Sequence, residues 1–382
     1  MLINLFFLKE ETKLTSNYQN TIVMDNGTAF SKIGFAGEDH PRAIIQTIPR
    51  SPIKIKPSHM QEILIKIKPH SKPIREKGFL EGESPIKRGI IKDWDAMERF
   101  WEHCFYKTLH INPSDHPVIL TETALNTKEN NNKMMEIMFE AFNVPAVYIG
   151  TQAVLSLYAT GRTTGCVINS GEGVTNIVPI CENYVNNQTV QIIELAGQDI
   201  TKFFQKLMRQ AGYPLITAKE KKILIEIKEN ECYIAKDFED EINLAKDISK
   251  IQKEHIAPDG NKIIFGTERF TAPECLFNPS IMGKELPPLH EVLYEAINQS
   301  DIHYRKELFN NIILSGGNTL FPGLKERLSI ELKKIIPETT NVRVIAPEDR
   351  TITTWFGGSL LGALPSFKEL TIKRQQYYEL IR

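Results

Sequence analysis

The sequence predicts an α/β protein built from two similar halves, and three observations predict it. Short β-type runs alternate with segments of helical periodicity along most of the chain. A strand, a polar glycine turn and a return strand occur near residue 22 and again near residue 166, so one supersecondary unit is used twice. The chain has 382 residues, 41% of them hydrophobic and 24% charged. At ~150 residues per domain that suffices for two cores, and it excludes a disordered, collagen-like or disulfide-stapled chain.

Ile22-Val23-Met24 reads as a strand, Asp25-Asn26-Gly27-Thr28 as a hairpin turn and Ser31 to Ala36 as the return strand. Asp93 to Leu109 carries Trp94, Met97, Trp101, Cys104, Phe105 and Leu109 at helical spacing. Val118 to Thr121 is a buried-type strand, and Lys128–Phe142 and Gln152–Ala159 are helices. In the second half, Cys166-Val167-Ile168 is a strand, Asn169 to Gly173 its turn and Val174 to Val178 the return strand. Helices at Asp199–Ala211 and Ala218–Ala235, a strand at Asn311–Leu314 and a helix at Gly323–Ile336 follow. Arg50–Lys77 differs from the rest: Pro52, Pro57, Pro69 and Pro73 break it, and it holds eight basic residues against two acidic ones. It reads as a solvent-facing insertion with a short hairpin, either a polymer or partner contact or a plain solvated loop. No aromatic residue interleaves with its charges, which argues against nucleic acid.

Lys plus Arg total 46 and Asp plus Glu 47, a formal net charge of −1, so nothing global favours nucleic acid or an anionic membrane. No apolar run approaches the ~18 residues of a membrane span. The five cysteines form no C-x-x-C pair and read as reduced thiols of a cytoplasmic protein. His290-Glu291 opens like a zinc-protease helix, but Tyr294 stands where the second histidine belongs. Met1–Leu8 is apolar without a basic start, so residues 1–20 read as an extension that packs locally or docks on a partner rather than as a leader.

No G-x-x-x-x-G-K-[ST] is present, and Gly171-Glu172-Gly173 with Asn176 falls one residue short of G-x-G-x-x-G and leads into a strand. What remains are two hairpin turns rich in Gly, Ser, Thr and Asn. Turns of this kind aim backbone N–H groups at one point and make an anion nest. Thr28 or Ser170 adds a hydroxyl, Asp25 can hold a hydrated Mg²⁺, and Lys32 can neutralise phosphate. Each turn alone is also consistent with a plain hairpin; the matched pair points to a polyphosphate. Ser315-Gly316-Gly317-Asn318-Thr319 is a third glycine turn, between a strand and a helix, where α/β sheets place ligands.

At these residues the sequence resembles the actin superfamily, from about Thr21 to the C-terminus. Ile22 to Thr28 with Lys32-Ile33-Gly34-Phe35-Ala36-Gly37 looks like the family's first phosphate loop. Leu120-Thr121-Glu122, Gln152 to Ala159, Gly161-Arg162-Thr163-Thr164-Gly165, Leu314-Ser315-Gly316-Gly317 and Trp355-Phe356-Gly357-Gly358-Ser359 carry the rest. The resemblance implies two RNase H-like domains around a nucleotide cleft: 21–159 plus 352–382, with 50–77 as a divergent loop, and 160–351. It implies ATP or ADP with Mg²⁺ and assembly with itself or other actin-like subunits, with no nucleic acid and no membrane insertion. By resemblance Asp25 holds the metal through water, and Lys32 contacts phosphate. Asn26, Gly27, Thr28 and Ala29 belong to the first loop, and Ser170, Gly171, Glu172, Gly173 and Val174 to the second. Gln152 positions the attacking water and reaches the metal through water. Gly197, Lys228, Glu229, Gly316, Gly317, Thr319 and Phe321 surround the adenosine and its phosphates.

Several positions depart from the family. Asn169 stands where it has a metal-side aspartate, and Asn176 replaces a histidine that orders the hydrolytic water. An amide offers donors where a carboxylate offers only acceptors, so nucleotide binding with slow or absent hydrolysis is expected, at most a slow ATPase. Ile225 and Thr351 replace basic residues on the adenosine side, and Arg50–Lys77 lacks the family's loop sequence. The chain ends at Tyr378-Glu379-Leu380-Ile381-Arg382 without the family's final basic-aromatic residues. Phe277 to Pro288 resembles the family's plug, with Met282 and Leu286 as its apolar residues.

Among subfamilies the resemblance leans to centractin of the dynactin minifilament, through Ile91-Lys92-Asp93-Trp94, Phe142 to Ala146, Leu289 to Leu293 and Thr319-Leu320-Phe321. The expected function is therefore a cytoplasmic, cytoskeletal subunit of a filament or short minifilament, with capping or adaptor partners. Alternatives are a chromatin-remodelling subunit, which would carry larger insertions, a lineage-specific actin-like polymer, and a small-molecule kinase or chaperone ATPase on the same fold.

Overall fold

The computed structural model describes residues 20–48, 74–75, 82–247, 251–257 and 260–380. The extension expected at residues 1–20, apart from Asn20, and the insertion expected at 50–77, apart from Ile74–Arg75, lie outside the described residues. The chain forms two compact units, Met1–Thr163 with Thr351–Arg382, and Thr164–Arg350.

In the first unit the described residues build a seven-stranded sheet in the order Ile372–Lys373, Ala146–Thr151, Val118–Glu122, Ile22–Asn26, Phe30–Phe35, Ala43–Gln46, Ile74–Arg75. Ile22–Asn26 is flanked by its antiparallel hairpin partner Phe30–Phe35 and by the parallel strand Val118–Glu122. All five of its residues are buried, as expected of a central strand covered on both faces. Asp93 caps the helix Trp94–His103 by accepting from Ala96 N–H at 2.9 Å. That helix continues as a π-helical turn, Cys104–Thr108. Met97, Trp101, Cys104, Phe105 and Leu109 are buried as their spacing predicts, together with Phe100. Lys128–Glu136 likewise passes into a π turn, Ile137–Ala141.

The Trp355-Phe356-Gly357-Gly358-Ser359 run explains itself in packing. Its helix, Thr353–Gly362, crosses Gln152–Tyr158 so closely that a Cβ on Gly357 would lie 1.7 Å from Leu155 O. Trp355 is fully buried, donates Nε1–H to Val23 O at 3.1 Å, and fills the space a side chain at Gly34 would need. Ser359 Oγ donates to Glu38 O at 2.7 Å and accepts from Gly37 N–H at 3.0 Å. One short helix thereby joins three segments distant in sequence.

The second unit repeats the arrangement. Gly165–Ser170 lies between its antiparallel partner Thr175–Cys181 and the parallel strand Ile312–Ser315, with Val344–Ile345 beyond. Each unit thus centres on a hairpin strand with an antiparallel neighbour on one side and a parallel neighbour on the other, which is the repeat legible in the sequence. The turns are tighter than expected. Asp25, Asn26, Asn169 and Ser170 are the last residues of strands rather than turn residues, because full ladder pairing continues to Asn26↔Ser31 and Ser170↔Thr175. The helix expected over Ala218–Ala235 spans Ala218–Glu231, opened by a capping box in which Thr217 Oγ1 accepts from Glu220 N–H and Glu220 Oε2 from Thr217 N–H.

The five cysteines are free thiols. Burial pushes the Cys232 thiol up to about 12, so it stays protonated. Arg327 makes a two-pronged ion pair with buried Glu274 (Nη2–Oε1 2.9 Å, Nη1–Oε2 3.1 Å), reaches Ala235 O at 3.0 Å and bonds Glu331 at 2.6 Å. It also lies 4.9 Å over the Phe277 ring. Burial pushes the Glu274 carboxyl up, and Arg327 pulls it only partly back. Burial also acts upward on Glu331, but its bonds to Lys334 and Arg327 outweigh that and hold it below its usual range.

Gly357→Ala is expected to destabilise the first unit by ~3 kcal/mol, since backbone must move to admit the methyl group; the urea midpoint measures this, and an unshifted midpoint contradicts the packing. Glu274→Gln removes the two-pronged partner of the buried Arg327 charge and leaves Glu331 alone beside it, at an expected cost of ~3 kcal/mol. Glu331, with its depressed pKa, stabilises the fold above its unfolded value near 4.5 and loses that contribution as pH falls through its folded value. Glu274 has the opposite sign. Glu331→Gln should therefore lose less stability than the native chain as pH falls below about 4.5, read by thermal melting.

Candidate functional site

In the first unit the strand ladder places Asp25 opposite Lys32, and Lys32 Nζ lies 3.1 Å from Asp25 Oδ2. The second carboxylate oxygen, Oδ1, accepts from Thr121 Oγ1–H at 2.9 Å and from Gln152 Nε2–H at 3.2 Å. Thr121 is the penultimate residue of the parallel strand beside Asp25, and Gln152 opens the next helix. Thr121 Oγ1 also accepts from Asn26 N–H at 3.1 Å, and Gln152 Nε2 reaches Asn26 O at 3.3 Å. Asp25 is thus a buried carboxylate compensated on both oxygens, as burial requires. Asn26 Oδ1 accepts from Trp101 Nε1–H at 3.2 Å, while its buried Nδ2 donates to nothing.

The turn Gly27-Thr28-Ala29 is tied down behind. Thr47 Oγ1 donates to Gly27 O at 2.7 Å, Thr47 N–H to Ala29 O at 3.0 Å, and Thr28 Oγ1 accepts from Gly89 N–H at 3.3 Å. A Cβ at Gly27 would lie 2.6 Å from Phe30 O, so only glycine lets the turn close.

In the second unit Ser170 and Thr175 face each other across the hairpin, Oγ to Oγ1 at 2.6 Å. The turn between them leans on the N-terminus of the helix Gly197–Gln210: Gly197 N–H donates to Gly171 O at 2.9 Å and Gln198 N–H to Glu172 O at 2.9 Å. Gln198 Nε2 reaches Gly173 O at 3.3 Å. A Cβ at Gly197 would lie 2.6 Å from Glu172 Oε2. Lys228 is buried, donates to Thr201 Oγ1 at 2.9 Å and lies 3.9 Å from Glu172. Burial pushes the Glu172 carboxyl above its usual range, with Lys228 opposing and Glu229 adding to the rise. Gly316, at φ 89, approaches the end of the hairpin so closely that a Cβ would lie 2.2 Å from Ser170 O.

Within the first unit, then, Asp25, Asn26, Lys32 and Gln152 form one constellation. Within the second, Ser170, Gly171, Glu172, Gly173, Gly197, Lys228 and Gly316 form another, with Val174 closing the turn through Gly171 N–H to Val174 O at 3.2 Å. Thr319 donates Oγ1–H to Gly316 O at 2.7 Å and holds that turn. Gly317 follows Gly316 in the same turn, Phe321 is buried in the unit's core, and Glu229 is exposed on its helix. Asn169 and Asn176 are register partners across the hairpin. Sequence reasoning passed over Thr47 and gave no site role of their own to Thr121 and Asn318, which it named only within motifs. The available signal was Thr121's place at the end of a predicted strand; nothing local marked Thr47.

The oxygen-rich set of Asp25, Thr121 and Gln152 suits the water shell of a hard divalent cation. The glycine turns, with the orphaned Asn26 Nδ2 as an extra donor, suit an anion. The residues present therefore fit a metal–polyphosphate. Among the described residues no group of three or more His, Cys, Asp or Glu could hold a metal by itself. No helix of the described residues is long and apolar enough to cross a membrane.

Thr121→Val keeps the shape of the side chain while removing both the donor to Asp25 and the acceptor for Asn26 N–H. It is expected to cost ~1–3 kcal/mol in urea unfolding; a change below ~0.5 kcal/mol, as at an ordinary surface site, would contradict the hydrogen-bond assignment.

A family model described as Actin matches residues 16–380, which takes in both hairpins, both compact units and the glycine turn at Gly316. The chain belongs to the actin family.

Proposed function

We propose that this protein is an ATP- or ADP-carrying, Mg²⁺-dependent actin-related subunit that hydrolyses its nucleotide slowly or not at all. It assembles with itself or other actin-like subunits into a filament or short minifilament of the dynactin type, in the cytoplasm. Family membership over residues 16–380 supports nucleotide binding and self-association at the general level. The finer reading rests on the departures from the family's residues.

Asp25, Thr121 and Gln152 would hold the metal through its waters, with Lys32 and the Gly27–Ala29 turn on the phosphates. Within the second unit, the Ser170–Val174 turn and Gly316 would by themselves suit a phosphate through backbone donors. Bound Mg²⁺ neutralises polyphosphate charge. Gln152, whose Nε2 is committed to Asp25 and Asn26 O, presents its amide oxygen as the acceptor that orients water. An amide oxygen orients water but takes no proton from it.

The observation that carries slow turnover is the pairing of Asn169 with Asn176 in the hairpin ladder. Two amides stand together where the family resemblance calls for a carboxylate and an imidazole, and neither amide is a base. A positioned base contributes ~10²–10⁴-fold. The native chain, incubated with Mg-ATP, should retain mostly ATP for hours, and the Asn169→Asp, Asn176→His double variant should release phosphate at least ~10²-fold faster. Brisk release by the native chain overturns this reading. For the assembly, tagged chain purified from its native cells should bring down filament-capping and adaptor subunits; recovery of remodelling ATPase subunits instead would assign it to chromatin.

A further inference from the structure

We propose that Asn318 is a specificity-determining residue of the nucleotide site, its Oδ1 taking a hydrogen bond from an O–H donor of the bound complex, either a ribose hydroxyl or a water on the metal. The inference rests on the nucleotide reading above and deepens it.

Proton bookkeeping carries the argument. Thr175 Oγ1 lies 2.7 Å from Leu195 O. A carbonyl only accepts, so Thr175 spends its single hydroxyl proton there. The 2.6 Å contact between Ser170 Oγ and Thr175 Oγ1 must then be donated by Ser170. With its proton committed, Ser170 can only accept from the third partner, Asn318, whose Nδ2 lies 2.9 Å from Ser170 Oγ. The chain of bonds therefore runs one way, from Asn318 through Ser170 and Thr175 to Leu195 O.

That direction fixes the amide. Turned over, Asn318 would set Oδ1 against a serine oxygen with no proton to share, two acceptors in contact. Oδ1 is thus held on the side away from Ser170. There it is buried with no partner, in a residue only 7% exposed. A buried orphan acceptor is costly unless something donates to it. The turns on either side of Ser170 are open: a Cβ added at Gly171 or at Gly317 would meet nothing beyond its chain neighbours within 4 Å. An ionised phosphate oxygen carries no proton and cannot satisfy Oδ1; a hydroxyl or a metal-bound water can. The position therefore selects a donor within a complex that is otherwise rich in acceptors.

The test is calorimetric titration of the full chain, native and Asn318→Ala, with ATP, 2′-deoxy-ATP and 3′-deoxy-ATP, each with and without Mg²⁺. If a ribose hydroxyl is the donor, the native chain binds one deoxy analogue about tenfold more weakly than ATP and the variant does not discriminate. If metal-bound water is the donor, removing Mg²⁺ weakens native binding about tenfold more than it weakens the variant. Such ratios would not move if Asn318 merely braced the turn. Native and variant ratios agreeing within about twofold in every arm overturn the inference while leaving nucleotide binding intact. A native chain that binds no adenine nucleotide removes the nucleotide reading, and the inference with it. Should the alanine variant fail to melt cooperatively, Asn318→Ser replaces it, and a native chain indifferent to both deoxy analogues and to Mg²⁺ refutes the inference without any variant.

Discussion

The first unit is organised by one constraint: a carboxylate sits buried at the end of a central strand. Asp25 cannot keep a charge there unless both oxygens are compensated. The sheet supplies the compensation from three elements, Lys32 from the antiparallel neighbour, Thr121 from the parallel neighbour and Gln152 from the helix that follows the next strand. Those groups meet only if the strand order and register are right. The same bonds that satisfy Asp25 also pin Asn26 and so the exit into the Gly27 turn. The residues that compensate Asp25 thus also hold the ladder and the exit from it.

The second unit solves a parallel problem without a buried carboxylate at the strand end. Its strand closes with Asn169 and Ser170, and the Ser170 and Thr175 hydroxyls join the Asn318 amide nitrogen to Leu195 O in a directed chain. Neutral groups cost less to bury than charged ones, but they order protons rather than attract cations. The two turns are alike in backbone and unlike in chemistry. One of the charges that the second unit does bury, on Arg327, lies on the helix Leu324–Ile335, and Glu274 and Glu331 neutralise it within its own unit.

Glycine and tryptophan set the close approaches on which both units depend. Gly357 lets one helix cross another at backbone contact, Trp355 fills the gap at Gly34, and Gly316 brings its turn onto Ser170 O. None of these positions tolerates a methyl group without backbone movement. Their place in the chain was legible as motifs; their reason was not, because each is a distance between segments far apart in sequence.

Periodicity alone determined the alternation of strands and helices, the buried stripe from Met97 to Leu109 and the two hairpins, because those patterns follow from 2.0- and 3.6-residue repeats that any window exposes. Residue chemistry alone marked Asp25, Lys32 and the glycine turns as partners for a metal and a polyphosphate. Tertiary structure decided where the turns truly begin, since ladder pairing drew Asp25, Asn26, Asn169 and Ser170 into strands. It also decided that Thr121 and Asn318 matter, because Thr121 is 96 residues from Asp25 and Asn318 is 148 from Ser170. A hydrogen bond is a relation of distance and direction, and only the folded chain specifies either.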